Sequence, residues 1–175
     1  MTSLVRKVRS LIRDVPDFPK KGIIFKDITP VLSDATTFDR VCAALEAYGA
    51  NRGTDLVAGI ESRGFIFGTA VAARLGVGFV PVRKAGKLPW KTVKQSYDLE
   101  YGKDAIEIHR DAIEKGRRVL VVDDVLATGG TMAGACRLVE KVGGVVAGCA
   151  CLIELGFLKP RKKLKNRDVF AIIRY

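Results

Sequence analysis

Leu4, Val5, Val8, Leu11 and Ile12 fall three and four residues apart, the spacing of one face of a helix, with Arg6, Lys7 and Arg9 between them. The chain is therefore predicted to open with an amphipathic helix whose outer face is basic, suited to packing on the rest of the chain or on a partner subunit. Pro16 and Pro19 end it, and 14–22 (DVPDFPKKG) reads as loop. Phe38, Val41, Leu45 and Tyr48 set a second helix over 37–49. Beyond residue 54 the pattern becomes short apolar runs alternating with helical ones. Strands are predicted at 55–60, 77–82, 117–124, 145–155 and 168–175, and helices at 65–75, closed by Gly76, and at 131–142. Residues 84–93 show no period and read as loop. SYDLEY (96–101) and AIEIH (105–109) alternate in polarity around Gly102-Lys103-Asp104 and predict a hairpin.

Continuous apolar strands interleaved with helices are what a parallel sheet covered on both faces requires. The expected fold is α/β: one domain over 1–175, a mainly parallel sheet flanked by helices, with a β-hairpin and a flexible loop. No repeat, low-complexity segment or linker divides the chain.

Composition narrows the function classes. Thirty Lys and Arg against 19 Asp and Glu leave a net charge of +11, which favours anionic partners. The densest run, RKKLKNR at 161–167, reads as a solvated loop. Aromatic residues are few and do not interleave with the basic ones, so no nucleic-acid partner is expected. No apolar run approaches a membrane span, and the N-terminus lacks the apolar stretch of a signal peptide, so a soluble cytoplasmic protein without membrane contact is expected. Cys42, Cys136, Cys149 and Cys151 form no CxxC, and the single histidine, His109, lies far from them, which argues against zinc. They read as buried thiols, and His109, with nothing to pair with, is left out of catalysis.

Chemistry concentrates in VLVVDDVLATGGT, 119–131. A buried strand ends in two carboxylates, a loop of small residues follows, and a helix begins. Ligands of open parallel sheets bind beyond the carboxyl ends of strands. A helix N-terminus offers free N–H groups and a positive dipole end to phosphate. Gly129 and Gly130 let backbone come close, and Thr128 and Thr131 add hydroxyls. Neither a Walker loop nor a dinucleotide fingerprint is present. Phosphate on one side and carboxylates for vicinal hydroxyls on the other describe a ribose 5-phosphate.

VVDDVLATGGT closely resembles the phosphoribosyl pyrophosphate signature of the type I phosphoribosyltransferases. FPKKGIIFKDITPVL (18–32), GIESRGFIFG (59–68), RKAGKLP (83–89) and YDLEYGKDAIEIH (97–109) resemble its adenine-specific branch, in one register over nearly the whole chain. The resemblance implies a homodimer that makes AMP and pyrophosphate from adenine and phosphoribosyl pyrophosphate for purine salvage. It implies Mg2+ as cofactor, held mainly by phosphoribosyl pyrophosphate, with no ligand directly from the protein. It implies that Asp123 and Asp124 hold the ribose hydroxyls and that Ala127, Thr128, Gly129, Gly130 and Thr131 wrap the 5-phosphate. Ser62 and Arg63, with a cis peptide at Glu61–Ser62, would form the pyrophosphate loop, joined by Arg83, Lys84 and Lys87. Ile24, Phe25 and Lys26 would form the base site, with residues 1–33 supplying a helix and the base-binding loop. Lys26 stands where relatives often carry arginine, a change of little consequence if the contact is through backbone. Leu155 would cover the other face of the base. Glu100, beside Tyr101 in the hairpin, matches the acid/base, and the segment from Lys84 to Glu100 is expected to act as a lid. Two other readings stay open: a hypoxanthine-guanine or xanthine enzyme, and a regulator that senses phosphoribosyl pyrophosphate.

Overall fold

The computed structural model describes residues 3–98 and 103–175. It opens with helix α1 (Ser3–Leu11), whose Val8 is fully buried. Two four-residue strands, β1 (Arg13–Pro16) and β2 (Ile24–Asp27), then pair antiparallel, with Pro16 opposite Ile24. The sequence predicts loop over 14–22. A ribbon this short carries no internal period, and its partner lies eight or more residues away.

Asp27 accepts from the Thr29 N–H at 2.9 Å and so starts a short helix, α2 (Thr29–Ser33). Helix α3 (Ala35–Ala50) is capped by Asp34, whose carboxylate accepts from the Thr37 N–H at 2.8 Å. That cap places its start two residues before the predicted one.

Seven strands form the main sheet: β3 (Leu56–Ile60), β4 (Gly78–Lys84), β5 (Thr92–Asp98), β6 (Lys103–His109), β7 (Arg118–Leu126), β8 (Val145–Glu154) and β9 (Val169–Arg174). Their order is β5-β6-β4-β3-β7-β8-β9. The five from β4 to β9 run parallel, and β5 and β6 add an antiparallel edge. Helices α4 (Arg63–Leu75) and α5 (Gly130–Lys141) are crossovers, and two 3-10 turns at Gly156–Leu158 and Pro160–Lys163 lie between β8 and β9.

Alternate residues of the central strands bury into opposite cores. Ala58, Val121, Cys149 and Cys151 meet the α5 side. Val57, Leu120, Val122, Ala150 and Leu152 meet the side formed by α1, α3 and α4. Burial on both faces explains why these strands read as unbroken apolar runs. The four cysteines are buried and unbridged, as the sequence predicts.

The hairpin is longer than its sequence pattern indicates. β5 begins at Thr92 and pairs with β6 over seven residues, and Tyr97 is buried. Among the described residues of the expected lid only 85–91 are irregular. Gln95, a polar residue on the same face as Val93 and Tyr97, breaks the strand's alternation.

Candidate active site

β3 crosses over to β4 on one side, while β7 joins β3 on the other. Their carboxyl ends diverge at this switch point, where open α/β sheets bind ligands. β3 makes its last β7 pairing at Gly59 opposite Val122. β7 runs on to Leu126 against β8 alone, so Asp123 to Leu126 face a gap on the β3 side. A cleft of about 740 Å³ occupies that gap. It brings together twelve of the residues singled out by sequence: Ile24, Phe25, Lys26, Ser62, Arg63, Lys84, Lys87, Asp123, Asp124, Ala127, Thr131 and Leu155.

The acidic pair forms the floor. Asp124 is 5% exposed. Arg63 Nε lies 2.8 Å from Asp124 Oδ2, an ion pair without hydrogen-bond alignment, and among the described residues that oxygen has no hydrogen-bond partner. Asp123 Oδ1 accepts from the Asp124 N–H at 2.9 Å. Burial, with the neighbouring Asp124 charge, pushes the Asp123 carboxyl well above the usual carboxylate range. Burial raises Asp124 too, against the opposing pull of the Arg63 guanidinium. An unsatisfied buried carboxylate is costly unless a donor arrives. The floor therefore favours a ligand carrying hydroxyls or a cation.

Two helix N-termini border this floor. Ser62 and Gly129, the residues before α4 and α5, make no side-chain capping bond, so the first-turn N–H groups of both helices lack a capping side chain. The Glu61–Ser62 peptide before α4 is cis. Before α5, Thr128, Gly129 and Thr131 line a smaller cavity of about 60 Å³ that adjoins the cleft through Asp123, Val125 and Ala127. Gly129 has φ +80°, and a Cβ there would stand 2.5 Å from the Pro160 carbonyl oxygen. The turn at 160 thus presses on the outside of the cradle. Gly130 is the first residue of α5 and faces a neighbouring groove.

Pro160 is held in place by a group that sequence reasoning missed. Glu154 is 1% exposed and accepts two hydrogen bonds from Arg161, at 2.9 and 2.8 Å. That pair, which holds Glu154 below the usual carboxylate range, ties the 160 turn to the end of β8 beside Leu155. Glu107 plays a similar part across the cleft. It is 1% exposed and accepts from the Gly86 N–H at 2.9 Å, the Leu88 N–H at 3.3 Å and the Thr92 hydroxyl at 3.1 Å. Those bonds, with Lys94 nearby, hold its carboxyl down against the upward pull of burial. They moor the 85–91 loop, which carries Lys87, to β6. In the sequence Glu107 occupies the polar phase of the AIEIH alternation, opposite Ile106 and Ile108, so nothing there marks it.

Arg83 turns elsewhere. Its Nε donates to Glu61 at 3.1 Å and its second nitrogen to the Lys87 carbonyl at 3.2 Å, so it braces the loop. Lys26 Nζ donates to Asp14 at 2.7 Å and lies 4.1 Å from the centre of the Tyr175 ring, which leaves its backbone toward the cleft. The Phe25 ring carries Phe18 at 5.2 Å, edge-on, and Arg63 at 4.9 Å. Tyr97 and Asp104 also line the cleft, joined by a 3.2 Å hydrogen bond from the Tyr97 hydroxyl, and Lys84 Nζ stands 3.8 Å from Asp104. Both belong to the 97–109 stretch but carry no helical or strand signal that marks them as functional. Glu100 and Tyr101 lie outside the described residues.

A mainly parallel sheet with an acidic strand end between two open helix N-termini belongs to the α/β class whose members bind phosphorylated ligands at the strand ends. The family model of the phosphoribosyl transferase domain matches residues 37–173. An adenine phosphoribosyltransferase of Roseiflexus castenholzii is 56% identical over 94% of this chain and 96% of its own. The crystal structure of adenine phosphoribosyltransferase from Thermoanaerobacter pseudethanolicus superposes with a TM-score of 0.95 at 52% identity, covering 98% of this chain and 99% of that one. The Saccharomyces cerevisiae enzyme, complexed with an imino-altritol bisphosphate and adenine, gives 0.93 at 40% identity over 99% and 100%. The chain belongs to the phosphoribosyltransferase family and, within it, to the adenine phosphoribosyltransferases.

Proposed function

We propose that this chain transfers the 5-phosphoribosyl group of phosphoribosyl pyrophosphate to adenine, releasing AMP and pyrophosphate, and so salvages free purine. The observation that carries the proposal is the buried Asp123–Asp124 floor between two uncapped helix N-termini, with an aromatic and an aliphatic side chain on the adjoining wall. On this reading the 5-phosphate sits in the cradle of Ala127 to Thr131, on first-turn N–H groups and the Thr128 and Thr131 hydroxyls. The ribose hydroxyls donate to Asp123 and Asp124, which supply the missing partner of Asp124 Oδ2. Pyrophosphate meets Ser62, Arg63, Lys84 and Lys87. Adenine lies between Phe25 and Leu155, its edge read by backbone at Ile24 to Lys26.

The reaction forms a bond from the adenine nitrogen to the anomeric carbon while the bond from that carbon to pyrophosphate breaks. Positive charge grows on the sugar in between, and the two carboxylates beneath it stabilise that charge. The displaced base proton needs an acceptor, the role proposed for Glu100. Hypoxanthine-guanine, xanthine and regulatory readings gain nothing from the named relatives.

Magnesium fits this donor set as an ion carried by substrate. Among the described residues no three His, Cys, Asp or Glu side chains converge to cage a metal. Mg2+ characteristically takes one or two carboxylates together with substrate phosphates, and when bound it would neutralise pyrophosphate charge. A cytoplasmic homodimer completes the proposal. No helix among the described residues is long and apolar enough to cross a membrane. Trp90, on the loop that carries Lys87, is 63% exposed, which suits contact with a second subunit.

The test is AMP formation by the wild type, Asp124→Asn and Thr128→Ala. Asp124→Asn should lower kcat by roughly 10²-fold or more through lost charge stabilisation. Thr128→Ala should mainly raise KM for phosphoribosyl pyrophosphate, by about tenfold, one hydrogen bond to a charged group. Wild-type kinetics in both variants would contradict the site.

A further inference from the structure

Between α5 and the segment before β9 lies a second concavity of about 460 Å³. Arg137 enters it from α5, and Lys162, Lys163, Lys165 and Arg167 from the segment before β9. Arg167 is held by Glu140 at 2.7 Å. The other four are exposed and take part in no ion pair among the described residues. Elsewhere the chain pairs many of its arginines: Arg63, Arg74, Arg83 and Arg161 each face a carboxylate. Four unpaired cations around one hollow repel one another, and an anion bound among them relieves that repulsion.

We propose that this groove is a second anion site, separate from the transfer cleft, that takes an oligophosphate of three or more consecutive phosphate groups. The oligophosphate is either free or the tail of a nucleotide. Several cations spread over one hollow suit a chain of charges better than a single phosphate. Gly130, at the N-terminus of α5, lies at its inner end, where the groove meets the proposed 5-phosphate cradle. Nucleic acid fits less well. Among the described residues Tyr97 is the only aromatic one lining the groove, and at 6% exposed it offers no open ring for base stacking.

Tyr97 lines both the groove and the cleft. The two sites therefore adjoin, and charge in one acts on the other to the extent that salt does not screen it. An oligophosphate in the groove places negative charge behind the 5-phosphate cradle and lowers affinity for phosphoribosyl pyrophosphate. By linkage, phosphoribosyl pyrophosphate weakens oligophosphate binding to the same degree.

The experiment titrates the full chain with inorganic tripolyphosphate by calorimetry, at about 50 mM salt where phosphate contacts are strongest. The comparison is the triple variant Lys162→Gln, Lys163→Gln, Lys165→Gln, whose substitutions are on the surface and outside the transfer cleft. The wild type should take up one equivalent more than the variant, whatever binds in the cleft itself. In the absence of tripolyphosphate, kcat/KM of the two should agree within about twofold. Tripolyphosphate should raise KM for phosphoribosyl pyrophosphate by roughly two- to fivefold more in the wild type than in the variant. ATP and tripolyphosphate arms separate a nucleotide tail from a free chain, since an extra equivalent with ATP alone shows that the nucleoside contributes. Equal stoichiometry and affinity in wild type and variant overturn the proposal. An extra equivalent seen only with a single-stranded oligonucleotide also overturns it. The binding readout is independent of the transfer activity, so it stands or falls without the function proposed above.

Discussion

Replacing Gly129 by alanine loads the proposed phosphate cradle at its tightest point. The residue has φ +80°, where a side chain costs about 1–2 kcal/mol. The new Cβ would lie 2.5 Å from the Pro160 carbonyl oxygen, whereas ordinary contact begins at 3.4 Å, so one backbone must yield by about 0.9 Å. Neither yields easily, because Gly129 leads straight into α5 and Pro160 is tied through Arg161 to the buried Glu154. Overpacking of this kind typically adds about 1–3 kcal/mol, for a total near 2–5 kcal/mol. In a chain of this size each kcal/mol lowers Tm by roughly 2–4 °C, so a drop of about 4–20 °C is expected. Gly116→Ala is the control: φ is +84° but nothing lies within 4 Å of its Cβ, so it carries the backbone cost alone. Scanning calorimetry measures the first effect. Initial rates measure the second, since a cradle shifted by nearly 1 Å should raise KM for phosphoribosyl pyrophosphate roughly tenfold or more, against no change in Gly116→Ala. If Gly129→Ala matches Gly116→Ala in both Tm and KM, the 160 turn does not shape the phosphate site.

Two further outcomes follow from the loops. Glu107→Gln keeps the size of the side chain but weakens its bonds to the Gly86 and Leu88 N–H groups. It should free the Lys87 loop and raise KM for phosphoribosyl pyrophosphate about three- to tenfold, with KM for adenine unchanged. A variant with equal rises in both would assign Glu107 to general stability. Glu100→Gln should lower kcat by about 10²–10⁴-fold while adenine binding, measured directly, changes little. Near-normal kcat would remove Glu100 from the proton transfer.

The central fold was legible because its physics is local and repetitive. Strands such as LVAGI and RVLVVDDVL are buried on both faces, so each shows an unbroken apolar run, and α4 and α5 follow at regular intervals. The acidic pair and the small-residue turn after it were legible as a candidate site because a buried strand ending in two carboxylates, followed by a glycine turn into a helix, stands out in the sequence, and the structure brings Asp123, Asp124, Ala127 and Thr131 into one cleft. What escaped reading depends on partners distant in sequence. The ribbon of β1 and β2 exists only through their pairing, and β5 owes its start at Thr92 to β6. Glu107 and Glu154 look like ordinary strand charges until the fold surrounds them with loop N–H groups and an arginine fork. Arg83 reads as one more cation for pyrophosphate, yet Glu61, opposite it across the parallel strands, claims its guanidinium.

The specificity of the base slot is tested most directly by kcat/KM for adenine, hypoxanthine and guanine with saturating phosphoribosyl pyrophosphate. A 6-amino group donates where a 6-oxo group accepts, so a backbone edge matched to one leaves unpaired polar groups against the other, at about 1–3 kcal/mol each. With two such mismatches, adenine should be preferred by roughly 10²-fold or more. Comparable kcat/KM for adenine and guanine would contradict the account.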